Sequence, residues 1–170
     1  MAWKFLRLIA GIPTEQEAIT TSAGAGDTGK IPALDGAGKL DTSFMPVGIG
    51  ADTGTIVASE NLAAGDFVNV WDDAGTAKVR KADASNNRRA HGFVLNAVTS
   101  GQNATVYFEG SNTALSGLSP GNDYWLSNST AGGVTDDVSA YTGGDLVQPV
   151  GIARSATVIA TEIEQPIVTA

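Results

Sequence analysis

A chain of 170 residues with a formal net charge of −8 and no cysteine has room for one moderate domain plus an extension, and it excludes disulfides, thiolate metal sites and a cysteine nucleophile. Its acidic balance runs against nucleic-acid binding, which calls for a basic patch; the one local basic cluster is Lys78, Arg80, Lys81, Arg88 and Arg89. The 21 glycines and 6% aromatic residues favour turns and short strands over long helices, and no apolar run reaches the roughly 18–20 residues that cross a bilayer.

In chain order, the start Met1-Ala-Trp-Lys-Phe-Leu-Arg-Leu-Ile-Ala10 is broken by Lys4 and Arg7, so it lacks the apolar core of a signal peptide and reads as mature protein. Trp3, Phe5 and Arg7 alternate with Lys4, Leu6 and Leu8, which predicts an edge strand or an extended arm. Thr14 with Glu17 three residues on is a capping-box pattern and predicts one or two helical turns after Pro13. From Thr20 to Gly54 large apolar groups are sparse; this stretch cannot bury a core by itself and is expected to order against something else. Within it Gly29-Lys-Ile and Gly38-Lys-Leu echo one another, as two extended pieces joined by an Asp35-Gly36 turn would. Phe44-Met45-Pro46 closes the arm with an apolar anchor.

From Thr55 onward short β-prone runs alternate with Gly, Asn, Asp and Ser. The predicted strands are Ile56–Ala58, Asp66–Trp71, Lys78–Lys81, His91–Val98, Ala104–Glu109, Asp123–Ser127, Leu146–Ala153 and Ala156–Thr161. His91–Val98 and Ala104–Glu109 are expected to form a central hairpin across Thr99–Asn103, with Ala104, Val106 and Phe108 on one face. Asp72–Gly75 has turn chemistry. The basic run Lys78–Lys81 is expected near a sheet edge, where charge discourages stray pairing. Pro149 marks an edge strand or a bulge. The last residues, 163–170, are expected to form a tail that reaches a neighbour.

Five candidate signals each have a blander alternative. Gly24-Ala-Gly-Asp-Thr-Gly-Lys30 satisfies Gly-x-Gly-x-x-Gly and nearly a P-loop, but Ile31 stands where magnesium needs a hydroxyl, and Pro32, Gly36 and Gly38 forbid the helix that would face a phosphate. His91 is the single histidine; no orienting acid is spaced for a catalytic pair, and a satisfied strand-start ring is the plainer reading. The pairs Asp72/Asp73 and Asp136/Asp137 sit in predicted turns, where Asp serves backbone geometry, and lack the spacing of a calcium loop. Trp3, Trp71, Tyr107, Tyr124 and Trp125 could suggest a glycan platform, but in a small β domain they fit a core or subunit interface. Asn103-Ala-Thr105 and Asn128-Ser-Thr130 match the glycosylation pattern and are discounted without a signal peptide. No catalytic, cofactor or metal residues are assigned, and neither a nucleic-acid nor a membrane partner is expected.

The stretch Ser22-Ala-Gly-Ala-Gly-Asp-Thr-Gly-Lys-Ile-Pro-Ala-Leu-Asp-Gly-Ala-Gly-Lys-Leu-Asp-Thr-Ser-Phe-Met-Pro46, after Gly11-Ile-Pro-Thr-Glu15, resembles the N-terminal part of tailed-bacteriophage structural proteins, notably head-decoration (cement) proteins. Leu62-Ala-Ala-Gly-Asp-Phe-Val68, His91-Gly-Phe-Val94 and Val106-Tyr-Phe-Glu-Gly110 are similar to small β domains of capsid-decorating proteins. The resemblance implies a non-enzymatic virion protein on the outer surface of the head. Its partners would be the major capsid protein and itself, as a homotrimer whose N-terminal arm spans neighbouring subunits. The alternative is a head or tail fibre or spike component that attaches to host surfaces or glycans; a small hydrolase on a β scaffold is a third class, and the missing acid–base constellation argues against it. The expected fold is all-β: an arm over residues 1–54 with at most one short helix, a small antiparallel sandwich or barrel-like domain over 55–162, and a tail over 163–170. The anchors expected to meet the partner are Trp3, Phe5, Leu6, Leu8, Ile9, Ile31, Leu34, Leu40, Phe44 and Met45.

Overall fold

A computed structural model describes residues 3–45 and 52–170. Met1, Ala2 and Pro46, named in the sequence readings, lie outside the described residues. The chain divides into two compact units, residues 1–50 and 51–170, and the fold is all-β as expected.

The first unit opens with a hairpin of β1 (Lys4–Ile9) and β2 (Ile12–Glu17), paired antiparallel from Lys4↔Glu17 to Ile9↔Ile12. Its turn, Ala10-Gly11, has positive φ at both residues (50° and 80°), the geometry whose twist matches two-residue hairpins. The helix predicted by the Thr14/Glu17 pattern is therefore absent. Thr14 pairs with Arg7 across the hairpin and its hydroxyl donates to Ile12 O. A cap needs a helix-competent run after it, and here the turn and the facing alternation of β1 claim those residues first.

Beyond β2 the chain is held by polar stitching. Ile19 accepts Ala33 N–H at 2.8 Å and donates to Ile31 O at 3.0 Å, a short parallel bridge centred on Pro32. Asp35 Oδ1 accepts from Ala37 N and Lys39 N, and Asp35 N–H donates to Lys39 O, forming the predicted turn. Asp41 caps the 3₁₀ turn Thr42–Phe44 by accepting Ser43 N–H, and Ser22 N–H donates to Ser43 Oγ. No described residue of this unit is buried.

The second unit begins with a closed five-stranded barrel, in the order β3 (Thr53–Ala58), β5 (Thr76–Lys81), β4 (Phe67–Asp73), β6 (Gly92–Phe93), β7 (Asn103–Tyr107) and back to β3. β3 and β5 run parallel; the other pairs are antiparallel. A second sheet follows the order β10 (Val134–Thr135), β9 (Asp123–Leu126), β12 (Pro149–Ser155), β13 (Val158–Thr161), β8 (Gly110–Asn112), and β11 (Leu146–Val147) pairs with β14 (Ile167–Val168). Two apolar clusters result. Val68, Val79, Ala104 and Val106 fill one, and Phe67, Phe93, Leu126, Val150 and Ile159 fill the other. β4 serves both, because Phe67 and Val68 point to opposite faces and each meets a core.

Several expectations are corrected here. The basic run Lys78–Lys81 is no edge: β5 is flanked by β3 and β4, Val79 is fully buried, and barrel closure leaves the ring without edges. The predicted central hairpin is much reduced; β6 and β7 meet only at Phe93↔Tyr107, since residues from Val94 on turn away to pair Leu62 with Val98. The period-two burial of Ala104 and Val106 does hold. Pro149 marks a bulge rather than an edge. β12 lies between β9 and β13, its register shifts between Pro149 and Gly151, and Gly151 (φ 139°) brings its backbone so near Ala160 that a Cβ would lie 2.1 Å from that carbonyl oxygen. Within the chain the tail pairs with its own unit, Ile167 with Val147 and Thr169 around Asp145, and leaves Ile167 and Val168 exposed.

Candidate interaction surface

The ten predicted anchors all belong to the first unit, and the structure leaves most of them in solvent. Trp3, Leu6 and Leu8 are 73%, 75% and 70% exposed; Ile9, Ile31, Leu34, Leu40 and Met45 are exposed as well, and Phe5 and Phe44 are half-buried. Scattered exposed apolar side chains need no explanation, but concentrated ones mark contact surfaces. Among the described residues, nine of the large exposed hydrophobics fall in this unit and four, Val138, Ile152, Ile167 and Val168, in the second.

The anchors do not form one patch. Trp3, Phe5, Ile31 and Leu34 line a groove of about 610 Å³, together with Pro32 and Ala33. The Ile19–Pro32 bridge sets this groove, because it lays residues 31–33 beside the end of β2. Leu6 and Leu8 lie on the other face of the hairpin, beside Lys4, whose ammonium pairs with Glu15 at 2.8 Å; this partner raises the Lys4 pKa. Ile9 sits across the turn from Ile12, which is 67% exposed and was missed by the sequence reading. The signal for it was present: Ile12 and Thr14 continue the β-branched alternation after a Gly-containing turn, but the cap pattern obscured it. Leu40, Phe44 and Met45 do not line the groove.

The glycine motif at residues 24–30 closes on itself. Asp27 Oδ2 accepts from Ala23 N at 2.6 Å and Oδ1 from Lys30 Nζ at 2.8 Å; these bonds, the Lys30 one foremost, hold the Asp27 carboxyl below the usual carboxylate range. The lysine a phosphate would need is thus occupied, and the turn presents a carboxylate where an anion would sit.

The remaining candidates lie in the second unit and serve structure. Val70 N–H donates to His91 Nδ1 at 2.9 Å, and burial, with the Arg89 charge beside the ring, pushes the His91 pKa down. Asp73 pairs with Lys78, Asp136 accepts from Asn122 Nδ2, and Asp137 accepts from Ser139 N–H. The basic cluster is largely engaged: Lys81 pairs with Asp66, Arg89 reaches Gln165, and the Arg80 guanidinium lies 4.6 Å from the Trp71 ring centre. Three of the aromatics are engaged within this unit. Tyr107 stacks on Phe93, Tyr124 is buried with its hydroxyl accepting Ser119 N–H, and Trp71 Nε1 donates to Ser59 Oγ. Among the described residues no group of three or more His, Asp or Glu is placed to hold a metal ion, and no helix is long and apolar enough to cross a membrane.

No protein-family model, no curated protein and no solved structure matches this chain.

Proposed function

We propose that this protein is a structural component of a tailed-bacteriophage virion. It decorates the outer surface of the mature icosahedral head and stabilises it by binding the major capsid protein, as a homotrimer whose first unit carries the contact. The observation that supports this reading most is the segregation of exposed apolar side chains into the unit whose sequence resembles the arm of decoration proteins. Each large apolar side chain moved from water into a partner contributes about 1.5–3 kcal/mol. Three or four such anchors, Trp3, Phe5, Ile31 and Leu34 foremost, give each subunit a usable grip on a shell. The polar stitching of Asp27, Asp35 and Asp41 keeps the backbone ordered while leaving those side chains available.

The test is location and stoichiometry. Heads and tails of the parent virion are separated on a gradient, and the protein is quantified against the major capsid protein. Hundreds of copies on heads are the expected result. A handful of copies on tails or at one vertex overturns it and favours a fibre or spike.

A further inference from the structure

The hairpin has a free edge, and its register says which backbone groups face it. Ala18 N–H donates to Trp3 O at 2.8 Å, so within the aligned register the mutually bonded pairs are Trp3–Ala18, Phe5–Gln16, Arg7–Thr14 and Ile9–Ile12. Lys4, Leu6 and Leu8 therefore aim their N–H and C=O groups outward from β1. No other strand of the described residues pairs there. The outer edge of β2 is different: Pro13 brings no N–H to it, and Ile19 is already bridged to residues 31–33. An unpaired edge bearing Leu6 and Leu8, 75% and 70% exposed, is a template for strand addition.

We propose that β1 pairs with β1 of a second copy of this chain, antiparallel about a twofold axis at Leu6, making a continuous four-stranded sheet. The occupant follows from the strand's own chemistry. Centring on Leu6 sets Leu6 against Leu6, Lys4 against Leu8, Trp3 against Ile9 and Phe5 against Arg7, whose guanidinium donates to Gly29 O of its own chain at 3.3 Å. No like charges face one another across this register. The outward groups of Lys4, Leu6 and Leu8 meet their own counterparts, so the whole edge is satisfied. Sliding the pairing by two residues toward the turn sets Arg7 against Arg7; sliding it the other way shortens the described ladder from Trp3–Ile9 to Trp3–Arg7. This pairing does not depend on the virion reading: it concerns the free chain, and a twofold contact can join threefold bodies two by two.

The test uses the purified full-length chain without shells, in sedimentation equilibrium. The expected species are even-numbered. Leu6→Lys and Leu6→Glu, each of which places like charges on the axis, weaken the twofold step by about tenfold or more, and an equimolar mixture of the two restores it as mixed pairs. Amide exchange gives a second readout that does not rely on a variant: Lys4, Leu6 and Leu8 become protected as concentration rises, while Phe5 and Arg7 are protected throughout. Only odd-numbered species, variants that associate like the wild type, a mixture that fails to restore pairing, or protection that does not alternate would each overturn the proposal. Because no capsid is present, failure here leaves the shell-binding reading standing, and failure on the virion gradient leaves this pairing standing.

Discussion

Residues 3–45 and 52–170 use the same materials, short strands and glycine-rich turns, and arrive at opposite relations to water. In the larger unit the core-forming strands find a partner layer. Phe67 and Phe93 meet the second sheet, Val68 and Val79 fill the barrel, and buried Gln148 accepts from Ala90 N–H and donates to the Ala90 and Glu164 carbonyls. In the smaller unit no second sheet among the described residues packs on the hairpin. Two strands cannot enclose a side chain, so its order rests on backbone hydrogen bonds and aspartate caps, and its apolar groups remain outside. Local order and a hydrophobic core are thus separable in one chain, and a unit with the first but not the second is suited to contact.

Substitutions can sharpen or break this contrast. The largest effect is expected in the core: Leu126→Ala, at a fully buried site, should cost about 2–5 kcal/mol in denaturant unfolding. Next, Gly151→Ala should cost about 2 kcal/mol or more, because the new Cβ meets the Ala160 carbonyl and the backbone there favours glycine. A smaller, pH-dependent effect belongs to His91. Burial and Arg89 hold its folded pKa below the ordinary 6.5, so the unfolded chain takes up the proton first as pH falls. The stability tied to the neutral ring is present above 6.5 and is lost as pH drops toward the folded value; His91→Gln should flatten that part of the stability–pH curve. Smallest is Trp3→Ala, which should change unfolding by no more than about 0.5 kcal/mol yet weaken binding to shells. A Trp3→Ala cost as large as that of Leu126→Ala would mean that the smaller unit has a core after all.

The sequence was legible where periodicity had one meaning. The alternation of Ala104 and Val106, the turn chemistry at Asp35 and the irregularity at Pro149 appear in the fold, whereas the turn expected over Asp72–Gly75 shrinks to Ala74-Gly75, because Asp72 and Asp73 extend β4 and pair with Ala77 and Thr76. It misled where two local codes overlapped: Thr14 and Glu17 spell a helix cap, but Ile12 and Thr14 also continue a strand, and the Ala10-Gly11 turn brings β1 alongside to decide the matter. That most of these ten apolar side chains stay exposed follows from the scarcity of large apolar groups near them in sequence. Their division between a groove and an open strand edge was not readable, since it depends on the bridge between Ile19 and Pro32.

By itself the sequence determined the class of structure: glycine-rich punctuation and short β-branched runs leave no room for long helices, and the scarcity of large apolar groups between Thr20 and Gly54 rules out a core there. Only the tertiary structure decided that the basic strand Lys78–Lys81 is enclosed rather than an edge, that the tail returns to pair with Leu146–Val147, and that β4 is buried on both sides. Strand neighbours are chosen by non-local pairing, and a residue's own neighbourhood in sequence carries no record of which strand will close the ring beside it.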